Sequence, residues 1–353
     1  IYVNAKLVIM DQYNNWKASG NNYQATETTS IWPGMYAYKN TVKIKGLKET
    51  LGKNNISSNY SFEHAPKTWE FIKNFKGGTA VFTNPATPIK CGGAPHKIMY
   101  LAVDYWRKKG ILDKCDVHYV SGAGAIFAVP EYADTLKKVL ENGNIKVHFN
   151  ANVVAIDGAT KTIEFETNDN PSNIKQNLSK LDAACYGINE PAEGSTVSRV
   201  NLKFDMCHAV PPQSAPDFIK NSPLRDSAHP LGYVEIDKNT MQHTRFKNVF
   251  ALGDCTNAPC SKTGAAIRKQ APVVVANVLS AIDNIALTAK YEGYSACPIP
   301  TQYGKLMLAE FDYTNKPTMT FPFDQTKPRW SMWILKTKLL PWLYWNKILT
   351  GKA

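Results

Sequence analysis

An α/β protein built on a parallel sheet with crossover helices is what this sequence predicts, on three observations. Between residues 64 and 149, short β-branched runs alternate with longer stretches of helical period, the pattern of strand-helix-strand units. Farther on, Asn248-Val-Phe-Ala-Leu-Gly-Asp-Cys-Thr256 carries an apolar strand into Gly253-Asp254, and a helix opens at Lys262-Thr-Gly-Ala-Ala266. Aromatic content of 11% and charged content of 20% over 353 residues describe a globular chain with material for two or three domains.

The first forty residues have the weakest periodicity. Ala5-Lys-Leu-Val-Ile-Met10 reads as a strand. Asp11 at its end is either the acid that binds a ribose in a dinucleotide-binding fold or an acid in an ordinary turn. The polar stretch after it, with Trp32-Pro33-Gly34, reads as loop. Residues 64–75 predict a helix with Trp69, Phe71, Ile72 and Phe75 as apolar positions, ended by Gly77-Gly78. Strands follow at 79–83, 116–120 and 145–149, with a helix from about Pro130 to Leu140. Around Asp157-Gly158, residues 153–157 and 162–165 predict a hairpin. Residues 168–200 read as an inserted polar surface loop that holds an incidental Cys185, and 201–207 as one strand. The 248–252 strand and a helix to about Ala281 come next.

Chemistry concentrates at Ile89-Lys-Cys-Gly-Gly-Ala-Pro-His-Lys97. Pro95 suits a first helical residue, and Ile98, Leu101, Ala102 and Tyr105 fall at i, i+3, i+4 and i+7, predicting the buried face. Cys91 then lies just ahead of a helix N-terminus, flanked by Lys90 and Lys97, where dipole and cations favour thiolate. The alternative is an inert, buried small hydrophobe in a tight turn. Two adjacent glycines would let a ligand approach the backbone closely. A second cysteine, Cys297 in Tyr291-Glu-Gly-Tyr-Ser-Ala-Cys-Pro-Ile299, has comparable surroundings, and only a fold can bring it to Cys91. Seven scattered cysteines without a CxxC pair exclude a disulfide framework and give no zinc signature. Asp254, facing a small-residue helix start, either holds a polyol while the dipole meets negative charge, or caps the helix.

The net charge of +12 suits an anionic surface or small anions, since no nucleic-acid module signature is present. In the sixteen positions from Trp330, four tryptophans (330, 333, 342, 345) mix with aliphatic residues, with Lys336, Lys338 and Lys347 nearby and Pro341 splitting the run. Short amphipathic helices in a headgroup interface, or an apolar pair packed on the body or a dimer, both suit this composition. No run of eighteen uninterrupted apolar residues exists. The chain opens at Ile1 without an initiator Met or a charged n-region, as a processed chain or a fragment would, so its N-terminus says nothing about address, and no GxGxxG occurs anywhere.

From about residue 44 to 353 the chain resembles sulfide:quinone oxidoreductases of the mitochondrial animal type. The likeness rests on residues 89–97, Gly124-Ala-Ile-Phe127, residues 249–257 with Ser261-Lys-Thr263, residues 291–298, Ala309-Glu-Phe-Asp-Tyr313 and Phe321-Pro-Phe-Asp-Gln325. It implies two Rossmann-like domains of the flavin disulfide reductase kind, the first incomplete because its glycine motif is missing, and C-terminal membrane-binding helices. The implied organisation is 1–70 for what remains of the FAD-binding domain and 71–210 for the second Rossmann-like domain. Residues 211–290 would return to the FAD-binding domain, and 291–353 would carry a redox cysteine and the membrane-binding region.

By the same resemblance Cys91 and Cys297 form the redox pair. Asp254, Gly264, Ala265, Ala266, Ile267 and Asp11 contact FAD, and Lys97 and Lys336 supply charge near the flavin and quinone end. Sulfide is the implied donor, ubiquinone the electron acceptor, and sulfite or glutathione the sulfur acceptor, on the peripheral face of the mitochondrial inner membrane; no metal and no nucleic acid are expected. Two other readings are an NADH:quinone oxidoreductase, which would need a glycine motif where Cys91-Gly-Gly-Ala-Pro stands, and a flavin-free remnant that binds a membrane or partner.

Overall fold

The computed structural model describes residues 6–8, 43–179, 181, 183–189, 196–348 and 350; Asp11 and the Trp32 loop lie outside the described residues. In chain order the described strands are β1 (Lys6–Val8), β2 (Ile56–Ser57), β3 (Gly78–Asn84), β4 (Cys115–Ser121), β5 (Ile145–His148), β6 (Ala151–Asp157) and β7 (Thr162–Thr167). They continue with β8 (Tyr186–Asn189), β9 (Ser198–Lys203), β10 (Met206–His208), β11 (Val249–Ala251), β12 (Ser295–Gln302) and β13 (Lys305–Phe311).

The expected parallel sheet is five strands wide, in the order β2-β10-β3-β4-β5. Helix Ala94–Lys108 crosses from β3 to β4, and helix Pro130–Asn142 from β4 to β5. Strand β3 is buried on both faces, with Ala80 and Phe82 in one core and Val81 in another, which is why it reads as an unbroken apolar run. Strand β1 pairs in parallel with β11.

The face of helix Ala94–Lys108 differs from the predicted stripe. Met99, Tyr100, Val103 and Trp106 are fully buried with Ala102, whereas Ile98, Leu101 and Tyr105 are half-buried on its flank. The helix is covered twice, by the sheet and by β12, so its apolar arc is wider than a single-sided periodicity allows. Trp69 on helix Ala65–Asn74 is also exposed, although its ring packs edge-on against Tyr105.

Residues 168–200 are not a plain loop. Asn170 caps helix Pro171–Leu178 by accepting from Ser172 N at 2.8 Å, Ile174 and Leu178 are buried, and β8 closes a four-stranded antiparallel sheet, β6-β7-β9-β8. With one face each to bury, these edge elements need few apolar residues, and their polar remainder hid them. The stretch read as one strand over 201–207 is two, β9 in the small sheet and β10 in the large one. The break falls at Asp205, whose Oδ2 accepts from Thr79 N at 2.9 Å.

Near the C-terminus, β12 and β13 form an antiparallel hairpin. After it, Trp330–Ile334, Leu335–Leu339, Leu340–Leu343 and Tyr344–Ile348 follow one another as alternating α and π turns. Pro341 does not divide this run: it sits in the first turn of its segment, where a missing N–H is tolerated. Met332 is its buried anchor, while Trp330, Leu339, Trp342 and Trp345 stay exposed. Among the described residues no helix is long and apolar enough to cross a membrane.

Candidate active site

Cys91 leaves the parallel sheet by way of Lys90, which makes a one-residue parallel bridge with Lys262. The Cys91 amide donates to Lys262 O at 2.8 Å, and the Cys91 carbonyl accepts from Ala94 N at 2.7 Å as the helix begins. Cys91 has φ 54°, in the left-handed region. For a residue with a Cβ that conformation costs roughly 1–2 kcal/mol and persists only where the surroundings impose it.

Strand β12 brings Cys297 to this turn from 206 residues away, with the two Sγ atoms 3.6 Å apart and both cysteines free. Cys297 is 1% exposed, whereas Cys91 is half-buried. The close approach depends on Gly93, since a Cβ there would lie 2.6 Å from Cys297 Sγ. Lys97, one turn into the helix, donates from Nζ to Cys91 Sγ at 2.9 Å.

The two thiols are electrostatically unequal. Cys91 is held well below the ordinary thiol value by the hydrogen bond from Cys297, which outweighs burial, with help from the Lys97 and Lys336 charges. Cys297 is pushed well up by that same bond, by burial and by the charge on Cys91. Burial alone would lower Lys97, but the two sulfurs hold it above the ordinary lysine value. Lys336 is lowered by desolvation and by Lys97, although its side chain is exposed overall. The predicted flanking role of Lys90 does not hold: its ammonium turns away from the thiol to pair with Asp254 at 3.5 Å.

Asp254 lies in the turn Gly253–Cys255 after β11. It does not cap helix Gly264–Ile282; Thr263 does, its hydroxyl accepting from Ala266 N at 3.2 Å. A Cβ placed on Gly264 or on Gly92 would meet nothing within 4 Å, so both face open space, while Ile267 is exposed in the first helical turn. The Cys91–Lys262 backbone contact joins the turn that carries Gly92 to the segment that leads into Gly264. Open glycine edges, a carboxylate and an uncapped-by-charge helix start fit the ring and polyol half of a flavin. Asp11, read from the sequence as either a ribose-binding acid or an acid in an ordinary turn, lies outside the described residues. No group of three or more metal-ligating side chains is assembled among the described residues.

Several site residues were missed in the sequence. Tyr60 Oη donates to the Lys90 carbonyl at 2.8 Å, and Gln213 Oε1 accepts from Lys90 N at 2.9 Å. Buried Lys262 donates from Nζ to Thr256 O at 2.6 Å and lies over the Tyr233 ring. Tyr60 and Gln213 belong to no motif, and the Ser261-Lys-Thr263 match gave Lys262 no role of its own; each acquires meaning only from the turn it touches.

No family model matches the chain. Curated relatives do: the mitochondrial sulfide:quinone oxidoreductase of Mus musculus is 40% identical over 309 residues, covering 88% of this chain and 62% of that protein. Its counterpart in Dictyostelium discoideum is 42% identical over 311 residues, again 88% and 62%, and that of Schizosaccharomyces pombe 38% over 318 residues, 88% and 63%. The chain thus spans a little under two thirds of the length of these relatives. Among solved structures, a chain of the Tetrahymena thermophila mitochondrial ATP synthase superposes with a TM-score of 0.66 at 19% identity, over 86% of this chain and 68% of that one. The sulfide:quinone oxidoreductase of Aquifex aeolicus gives 0.63 at 16% identity, over 86% and 66%. These two likenesses concern the fold.

Proposed function

The chain belongs to the sulfide:quinone oxidoreductase family, and on that premise we propose that it oxidises sulfide at a redox dithiol formed by Cys91 and Cys297. The observation that carries the reading is the 3.6 Å meeting of two cysteines 206 residues apart, one of them 2.9 Å from an ammonium. In the oxidised pair, HS⁻ attacks Cys297 Sγ, an S–S bond forms to the incoming sulfur, and the Cys91–Cys297 bond breaks. Cys91 leaves as thiolate because it is the better leaving group, with Lys97 taking up its charge. A sulfur nucleophile such as sulfite or glutathione then attacks the outer persulfide sulfur and leaves Cys297 as thiol. Loss of two electrons from the dithiol, with its remaining proton, restores the disulfide.

A flavin, FAD in this reading, bound at Asp254 and the Gly264–Ile267 turn would supply the two-electron acceptor beside Cys91. Quinone, ubiquinone in a mitochondrial setting, is the proposed final acceptor. The exposed tryptophans of residues 330–348, with Lys336, Lys338 and Lys347, suit a peripheral place on an anionic inner-membrane surface. The proposed domain limits are those read from the sequence: 1–70 and 211–290 on the flavin side, 71–210 between them, and 291–353 for the redox hairpin and membrane run.

A second reading follows from the ATP synthase chain of the same fold: a subunit of a mitochondrial membrane assembly without turnover of its own. Visible spectroscopy during sulfide addition separates the two. A yellow protein bleached by sulfide, with bleaching lost in Cys91→Ser and in Cys297→Ser, is expected. A preparation that stays colourless with added FAD, or variants that bleach like the parent, would overturn the enzyme reading.

A further inference from the structure

We infer that Tyr60 and Gln213 are positioning residues that lock Cys91 into its left-handed conformation and thereby hold its Sγ against Lys97 Nζ and Cys297 Sγ. The inference rests on the proposed redox role of Cys91. A half-buried cysteine at φ 54° relaxes unless the peptide before it is fixed. Both peptides that flank Lys90 are fixed. In the 89–90 peptide the Lys90 N–H donates to Gln213 Oε1; in the 90–91 peptide the Lys90 carbonyl accepts from Tyr60 Oη and the Cys91 N–H donates to Lys262 O.

The three holders come from different parts of the chain: the turn after β2, the segment after β10 and the approach to helix Gly264–Ile282. Each is itself fixed. Gln213 N donates to Thr87 Oγ1 at 3.0 Å and the side chain is 1% exposed. Tyr60 is 7% exposed, and Lys262 carries the bridge to Lys90.

The consequence for chemistry is geometric. The Cys91 Sγ position depends on its own φ and on the orientation of the 90–91 peptide. If that peptide rotates, the sulfur moves away from Lys97 Nζ and from Cys297, the two groups that favour its thiolate. Removing Gln213 or Tyr60 takes away one of the bonds that orient the two peptides flanking Lys90, so the chain entering Cys91 is no longer held in one orientation.

Iodoacetamide labelling of Cys91, followed by peptide mass spectrometry on the reduced full chain from pH 5 to 10, tests this without sulfide, flavin or quinone. In the parent chain Cys91 should label in the acidic range. In Tyr60→Phe and in Gln213→Met the curve should shift to higher pH, with labelling at pH 6 slowed about fivefold, the equivalent of one net hydrogen bond, and with rates converging at pH 10. A general loss of stability would raise labelling at every pH and at the other cysteines too. Profiles coinciding with the parent's in either folded variant would overturn the inference; should Tyr60→Phe fail to fold, Gln213→Met decides. A chain that never bleaches with sulfide but shows the shifted profiles would refute the enzyme reading and leave the positioning role standing.

Discussion

Gly93→Ala and Gly92→Ala put the same methyl group on neighbouring residues, and the structure assigns them opposite outcomes. A Cβ on Gly93 would sit 2.6 Å from Cys297 Sγ and 3.3 Å from both Ile299 Cγ1 and Lys97 Cε. Unstrained contacts lie near 3.5–4.0 Å, so the sulfur or the helix start must yield by about 1 Å. Neither gives easily, since Cys297 is held in the β12–β13 ladder opposite Ala309 and Ile299 is fully buried. Overpacking of this kind costs about 1–3 kcal/mol, a fall in Tm of roughly 1–4 °C for a chain of this size. It also forces the two sulfurs apart, so closure of the dithiol by diamide should slow at least about tenfold. A Cβ on Gly92 meets nothing, and its φ lies outside the left-handed region, so Gly92→Ala should match the parent in Tm and in dithiol closure. Differential scanning fluorimetry and stopped-flow thiol titration read both variants. Equal behaviour of the two, in either direction, would refute the claim that Gly93 exists to admit Cys297.

Lys97→Met removes the ammonium 2.9 Å from Cys91 Sγ, so the pH at which Cys91 becomes alkylatable should rise by about one unit or more; an unmoved curve would mean the thiolate owes nothing to Lys97. Acid should unfold the chain early. Burial holds His96 and His148 down to about 3 and His208 to about 4, against 6.5 when unfolded. Because the folded values are depressed, their stabilisation is complete above pH 6.5 and is lost as pH falls toward 4 and 3, by up to about 1.4 kcal/mol per pH unit for each. Urea midpoints at pH 7 and pH 5 measure this, and a midpoint no lower at pH 5 would count against neutral buried imidazoles.

Much of the strand and helix order was legible because the elements around Cys91 are buried on two faces and read as apolar runs between glycine and proline stops. Residues 168–200 were less so: Ile174 and Leu178 of the helix and Ile188 of β8 are too few to rise above their polar neighbours. Cys91 stood out through its local surroundings. Its link to Cys297 did not, because no local signal encodes a contact across 206 residues; the resemblance alone implied it. Lys90 was misread for a related reason. Next to Cys91 in sequence, it points away from it, and the residues that fix its peptide, Tyr60 and Gln213, lie 30 and 123 positions off.

The inequality of the two sulfurs decides how this pair would work. A symmetric dithiol would let hydrosulfide attack either sulfur and would scatter the persulfide between them. Here the ammonium contact and the open glycine edge both belong to the Cys91 side, whereas Cys297 is buried and has its thiol value raised. In the proposed reaction the lower-value sulfur leaves and the other receives the incoming atom, so the persulfide forms on Cys297 and the thiolate on Cys91, facing the Gly92 edge where a flat acceptor has room. One glycine admits the partner sulfur and the next leaves space for the acceptor, and Cys91 meets both only in the left-handed conformation that Tyr60, Gln213 and the Lys262 carbonyl impose.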